Sequence, residues 1–430
     1  MSPATTSTRL VAPGATKVQM AATVDPWRLF ADAPGDRAVL WREPGTATVT
    51  VGIGAAAEIT SHSPAVRFAE VAAGLSSTTG ADSGSDRWFG GFSFDCGETP
   101  DDLWADHPCG ALTLPVFTFD IDPTATTTCI VRGGDADAAH HLVAAIDPPM
   151  ARRGTGAARA VEEDREAYTN LVTTALGEIS AHRLEKVVLA RRRTHHGPVD
   201  VAEVLAGLAA RQPSCAIFAF RRGPRVFLGA SPELLLAHDG AGHVTSAAVA
   251  GSRSRGRDDA DDTLMAAELA ADPKEVAEHA YVVDDLRRQL AAAGVRLDPP
   301  AVAEIRRLPG IQHLYTPVSG SLDPDSRHVI EILGALHPSP AVCGTPTAAA
   351  RRFIRDHEGL DRGWYAGPVG WIDGRGAASF HVGLRSGVID PGVGVTHLFA
   401  GAGIVAGSQP GSELTETDVK LDALGTALGS

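Results

Sequence analysis

The 430-residue chain has no run of the roughly 18 apolar residues that a membrane-crossing helix needs, which excludes a helical span. It has only five cysteines, Cys96, Cys109, Cys129, Cys215 and Cys343, with no C-x-x-C pair among them. The odd count and the spacing exclude a zinc site and fit a reducing cytoplasm. Positive charge is also in deficit: 38 Lys and Arg against 52 Asp and Glu leave a formal charge of −14. That balance argues against nucleic acid or an anionic membrane as partner, although a local cluster of Arg and Lys can still hold a small anion. The first 22 residues lack the basic start and apolar middle of a secretory signal and are expected to form a disordered tail. What is present, 44% hydrophobic and 21% charged residues, is ordinary for a soluble enzyme, cytoplasmic on this reading, with a sizeable core.

Residues 23–155 read as a strand-rich half. "AVLWRE" and "TATVTVGIG" flank the turn "PGT", and "RWFGGFSFD", "LPVFTFDID" and "TTTCIVRGG" follow with Gly, Pro and Asp between them. "SSTTGADSGSD" (76–86) is expected to be an exposed loop, and 147–160 a link to a second region, 156–430. That region opens on a helix, because Tyr168, Leu171, Val172, Ala175, Leu176 and Ile179 recur at three- and four-residue spacing. "EKVVLARRR", "CAIFAFRR" and "RVFLGA" read as strands. A further helix is expected from Asp272 as N-cap, with Pro273 in its first position and Glu275 completing a capping-box pattern. No internal repeat is present, and the strands do not alternate with regular helices. The expectation is therefore α+β with large, mostly antiparallel sheets.

Near the end stands "LFAGAGIVAGSQPGSELTETDVK" (398–420), a glycine-dense loop leading into a charged helix. A dinucleotide-binding glycine loop needs about 30 residues of βαβ unit beyond it and a helix starting at the glycines. Only 29 residues follow Gly401, and the helix starts near Pro410. At 100° per residue, Glu413, Glu416 and Lys420 fall within about 60° of one another, beside a stripe of Leu414, Leu421 and Leu424 suited to the core. The helix from Asp272 does likewise, with Glu275, Glu278 and Asp285 on one face and Val276, Ala280, Val283 and Leu290 on another. Such carboxylates are commonly no more than a solvated face. Two helices so equipped can also hold a hard cation between them, and an all-oxygen donor set suits magnesium.

The motifs "KVVLARR" (186–192), "LGASPELLL" (228–236), "VAGSRSRG" (249–256), "KEVAEHAYVVDDL" (274–286), "IQHLYTPVSG" (311–320), "LHPSPAVCGTP" (336–346), "YAGPVGWID" (365–373) and the 398–420 stretch occur in that order. Together they resemble the chorismate-utilising enzymes, and within them the isochorismate synthases. The resemblance is strong over about 160–428 and extends weakly to "WFGGFSFD" (88–95). It implies one large unit whose two halves pack antiparallel sheets, with peripheral helices, around a central cleft. It also implies chorismate as substrate, Mg2+ as cofactor and no glutamine amidotransferase subunit.

By resemblance, Lys186 is the general base that deprotonates water for addition at C2 of the ring. Its apolar neighbours Val187, Val188 and Leu189 would favour a neutral amine. Glu233 matches the general acid that protonates the departing C4 hydroxyl, with an apolar flank able to raise its pKa. Taken without the family, each reads more simply as a surface charge on a strand. Glu278 and Glu416 match the magnesium ligands that clamp the ring carboxylate, and Glu275 and Glu413 match partners that act behind them or through water. Gly401 and Gly403 match positions where backbone N–H groups approach the enolpyruvyl carboxylate, gripped with Arg385 and Lys420. Gly251, Ser252, Ala341, His313 and Tyr365 match pocket positions, His313 being as readily structural.

Amine-adding relatives, the anthranilate and aminodeoxychorismate synthases, typically carry Gln where Lys186 stands and often "PIKG" where this chain has "AVAG", so that Ala250 replaces a lysine. Salicylate synthases keep the lysine but usually lack the "LHPSPAVCG" stretch. The expectation is an isochorismate synthase feeding menaquinone or siderophore synthesis, with salicylate synthase as the alternative. A catalytically silent subunit is disfavoured because every matched position is intact.

Overall fold

The protein is seen here in a computed structural model that describes residues 7–9, 15–20, 24–78, 86–96, 102–123, 126–132, 136–146, 159–161, 164–308, 310–323 and 327–426. Its described strands form two antiparallel sheets, one of 11 strands and one of 12. Neither sheet belongs to one half of the chain. In the first, Arg87–Phe92 from the N-terminal half pairs with Pro368–Asp373 from the C-terminal half. In the second, Arg37–Arg42 pairs with Ala216–Arg222. The expected division near residue 155 is thus a change of strand supply, not a boundary between separate cores.

The apolar runs follow from burial on both faces. Along Arg37–Arg42, Val39 and Trp41 enter the core shared with the first sheet, while Ala38 and Leu40 enter a second core. The second core is closed by helices Pro26–Ala31 and Val201–Arg211. A strand with period-two alternation between two cores has no polar face to show, and so reads as a continuous hydrophobic run. One polar group bridges the sheets. Glu43 accepts from the indole N–H of Trp41 and of Trp371, each at 2.7 Å, one from each sheet.

Several expectations need correction. Within the expected tail, Ser7–Arg9 pairs with the strand Ala57–Ser61, and Ala15–Met20 pairs with Thr127–Arg132. Ala15–Met20 is an edge strand whose residues are mostly exposed, so it carries no apolar pattern, and only Met20 at its end is fully buried. In the expected loop 76–86, residues 76–78 close the helix Arg67–Thr78. Residues 79–85, and 147–158 of the expected link, lie outside the described residues. Cys96 and Cys109 are bonded, with Cα atoms 5.5 Å apart. They lie just beyond the paired ends of adjacent strands, where Phe92 faces Gly110, a neighbourhood that spacing in sequence does not reveal. Cys129, Cys215 and Cys343 are free and buried. The bond removes the thiol argument for a reducing compartment. Among the described residues no helix is long and apolar enough to cross a membrane.

The two helices of interest form where expected. Helix Pro273–Ala292 is capped by Asp272, whose side chain accepts from the backbone N–H of Lys274 and Glu275. The capping box is not reciprocated, because the Glu275 carboxylate turns outward and accepts from the Ser252 N–H at 3.1 Å. The buried face of this helix is His279, Val282, Asp285 and Leu290. Asp285, expected beside Glu275 and Glu278, is instead buried and paired with Arg288 and Gln289, and Val276, expected inside, is exposed. Seven residues leave Asp285 only about 20° round the helix from Glu278 but about 10 Å further along it, beyond the cleft that Glu275 and Glu278 line. Helix Pro410–Gly425 buries Leu421 and Leu424 as expected.

Candidate active site

The helices and sheet edges enclose a cleft of about 510 Å³ whose lining residues all follow residue 185. Lys186, Glu233, Gly251, Ser252, Glu275, Glu278, His313, Ala341, Tyr365, Arg385, Gly401, Gly403, Glu413, Glu416 and Lys420 all line it. Sequence separations of more than 200 residues are thus collapsed into one concavity.

The glycines are not in a loop. Gly401 and Gly403 belong to the strand Val395–Val405, which runs antiparallel to Lys186–His196 with Val188 opposite Gly403 and Ala190 opposite Gly401. A side chain at either position would be crowded. A Cβ at Gly403 would stand 3.1 Å from Lys186 Cε, and one at Gly401 would stand 3.1 Å from the Tyr365 hydroxyl. The Gly401 carbonyl accepts from Lys420 Nζ at 2.8 Å, turning that part of the strand edge toward the cleft.

At the helical side of the cleft, charges are paired. Lys186 Nζ donates to Glu278 Oε1 at 2.9 Å, and Lys420 Nζ donates to Glu416 Oε1 at 2.8 Å. The Lys186 side chain therefore leaves its apolar strand and ends on a carboxylate, not in apolar surroundings. Glu413 has its pKa raised by burial and by neighbouring Glu416, against a hydrogen bond from Ser408. Among the described residues no three His, Cys, Asp or Glu side chains converge closely enough to cage a metal. The donor set nevertheless fits a hard cation. It offers carboxylates from two helices on one cleft, oxygen only, with other ligand positions left to water or substrate oxygens.

At the sheet side, desolvation dominates. Glu233 keeps some surface toward the cleft but lies deep in it, and burial pushes its carboxyl up to about 7 against the pull of Lys186 and Lys420. His313 is pushed down to about 4 by burial and by Arg385, Lys420 and Arg306, so it is neutral at physiological pH. Its Nδ1 shares a hydrogen bond of 2.7 Å with Ser252 Oγ. Tyr365 is buried, stacked on Phe399 with ring centroids 5.2 Å apart. Arg385 adopts φ 46°, a left-handed backbone that aims its guanidinium at Gln212 Oε1, 3.0 Å away.

Sequence reasoning missed the supports. Arg362 and Glu358 form a buried ion pair at 2.6 Å; Arg362 also donates to the Val188 and Val342 carbonyls, while Glu358 accepts from the Ala190 N–H. This fixes the strand that carries Lys186. On the other side, Asp418 accepts from Arg191, from Arg193 at 2.8 Å and from Arg165 at 2.8 Å, and Thr417 Oγ1 accepts from Arg191 Nε at 2.7 Å. The helix with Glu416 and Lys420 is thereby bolted to the Lys186 strand. Their only signal was charge within "ARRR", "DHEGLDR" and "TETD", indistinguishable in sequence from a solvated surface. Lys274 and Arg306 also line the cleft.

A family model described as chorismate binding enzyme matches residues 12–429. The chain belongs to the chorismate binding enzyme family. Among its relatives, the isochorismate synthase MenF of Bacillus subtilis (strain 168) is 35% identical over 353 residues, 79% of this chain and 74% of that protein. The salicylate biosynthesis isochorismate synthase of Pseudomonas aeruginosa is 38% identical over 301 residues, 68% of this chain and 62% of that protein. Among solved structures, MenF, the menaquinone-specific isochorismate synthase from Escherichia coli, superposes with a TM-score of 0.82 at 27% identity, covering 99% of this chain and 96% of that one. Anthranilate synthase component I from Streptococcus pneumoniae TIGR4 superposes at 0.70 with 20% identity, over 91% of this chain and 92% of that one, a likeness of fold alone. The α+β architecture expected from the sequence is the architecture of this family.

Proposed function

We propose that this chorismate binding enzyme is an isochorismate synthase that reversibly converts chorismate to isochorismate. The observation that carries the reading is the pairing, in one cleft, of Lys186 with a deeply placed Glu233 whose carboxyl is pushed up to about 7. Glu233 then holds a proton near neutral pH and can release it. Lys186, having released its own proton to solvent as it leaves its pair with Glu278, acts as the neutral amine and takes a proton from the water that adds at C2. As that C–O bond forms, the two conjugated ring double bonds each move one position along the ring, and Glu233 delivers its proton to the C4 hydroxyl, whose C–O bond breaks and which departs as water. One water enters and one leaves, so substrate and product are isomers. Return of the proton from Lys186 to Glu233 resets the site, and the same two groups serve the reverse reaction.

Gly401, Gly403, Arg385 and Lys420 grip the enolpyruvyl carboxylate, while Gly251, Ser252, Ala341, His313 and Tyr365 shape the pocket around the ring. Magnesium is the proposed cation, held by Glu278 and Glu416 with Glu275 and Glu413 supporting them; when bound, it supplies positive charge for the ring carboxylate. The cytoplasm is the proposed compartment, and no amidotransferase subunit is needed because water is the nucleophile.

The test is incubation with chorismate and magnesium, with the product identified by mass and ultraviolet spectrum. Isochorismate with at most trace salicylate is expected, and no anthranilate on adding ammonium. Stoichiometric pyruvate release would move the assignment to salicylate synthase.

A further inference from the structure

We infer that Arg306 is a substrate-binding residue of the cleft, a second guanidinium that joins Arg385 in holding a substrate carboxylate. The inference rests on the chorismate reading, since it deepens the same site.

The strand Glu304–Leu308 pairs with Ile311–Ser321 so that Arg306 stands opposite His313, and on its other side His313 stands opposite Ser252. Directly opposed residues in a sheet project to the same face. Ser252, His313 and Arg306 therefore form a row across three strands, and all three line the cleft. The row is real at side-chain level at one end, where Ser252 and His313 share their 2.7 Å hydrogen bond. Toward the other, the Arg306 guanidinium lies 5.0 Å from the ring centre of Tyr315, two residues beyond His313 and so on the same face.

No carboxylate among the described residues pairs with Arg306; its one hydrogen bond is a long contact of 3.4 Å to the Ser214 carbonyl. Arg385 is in the same condition, held only by Gln212 and Cys215. The chain has acids to spare at a formal charge of −14. It gives one to the neighbour, since Arg307 donates to Asp262 at 3.0 Å. Two partly buried guanidiniums left without a counter-charge among the described residues, beside a neutral histidine, make a site for an anion from outside. The planar fork of each suits a carboxylate, and chorismate brings two.

The experiment measures chorismate affinity by calorimetry, and KM and kcat, for the wild type, Arg306→Ala, Arg306→Gln and Arg307→Ala, with melting temperatures for each. Arg306→Ala and Arg306→Gln should both weaken binding about ten- to a hundredfold, the loss appearing in KM and not in kcat. Glutamine keeps a donor for Ser214 but no charge, so wild-type affinity in Arg306→Gln would assign Arg306 a structural role and overturn the inference. Unfolding of both variants, or a fall in kcat at unchanged affinity, would overturn it too. Arg307→Ala should bind as the wild type does; a loss equal to that of Arg306→Ala would reduce the effect to general surface charge. Wild-type protein that binds no chorismate would sink the functional reading and this inference with it, whereas normal wild-type binding with unaffected variants sinks this inference alone.

Discussion

The two halves of the chain contribute strands to the same two sheets, yet they do different work. Every residue lining the cleft comes after residue 185. The N-terminal half supplies Trp41, Trp88, Phe89, Phe92, Phe94 and Trp104, all at or below 4% exposure, to the core shared by the sheets. Trp104 shows how the halves connect. It stacks on Phe399 at 5.7 Å and packs edge-on against Phe227 at 5.4 Å, and Phe399 is two residues from Gly401. Gly363 has no side chain because a Cβ there would meet the Trp104 ring at 2.0 Å, in a backbone with φ 48°. One half is chemistry on a frame, and the other is the rest of the frame. Large sheets permit this because a strand can be braced laterally by neighbours from anywhere in the chain.

The comparison breaks most sharply if chemistry and stability fail to separate. Lys186→Ala and Glu233→Ala should each lose about a hundred- to ten-thousandfold in turnover, with melting temperature and chorismate affinity largely kept. Loss of affinity in both by calorimetry would make them clamps on the substrate and not an acid and a base. Glu278→Ala or Glu416→Ala should cost about a hundredfold or more in magnesium affinity, and Glu275→Ala about tenfold, read by direct metal titration as well as by turnover. Chelation should abolish activity without unfolding; full turnover in chelator would refute the metal assignment.

Trp104→Ala tests the other side. It should cost about 3–5 kcal/mol of stability by leaving a cavity, while turnover at temperatures below the lowered Tm stays within a few fold of wild type. A collapse of turnover in fully folded Trp104→Ala would show that the N-terminal half positions the reacting groups, not merely the frame. The smallest effect is in pH. Glu233 must carry its proton to act, and its carboxyl is raised to about 7. As pH rises through that value the acid form is lost, so kcat/KM should fall by about tenfold per unit above it. His313, neutral above about 4, should add no limb between pH 5 and 8. A profile flat to pH 9 would remove Glu233 from the acid role.

Much of this was legible in the sequence. The helix from Pro273 followed from its cap and proline, and the last helix from its leucine stripe. The residues of the cleft followed from ordered motifs whose resemblance pointed to one family. These features are local, or depend on residue type at fixed spacing, and a chain carries them before it folds. Other features were decided only by the tertiary structure. Gly401 and Gly403 read as a loop because glycine favours turns, but an antiparallel neighbour with Lys186 and Tyr365 beside it makes a strand of them. Glu233 is an ordinary carboxylate until surrounding elements desolvate it. Lys186 meets Glu278 across 92 residues. The acid that clamps the last helix, Asp418, gathers three arginines from two other elements. Each of these depends on which segments become neighbours, and burial and charge pairing act through space, whatever the order of residues along the chain.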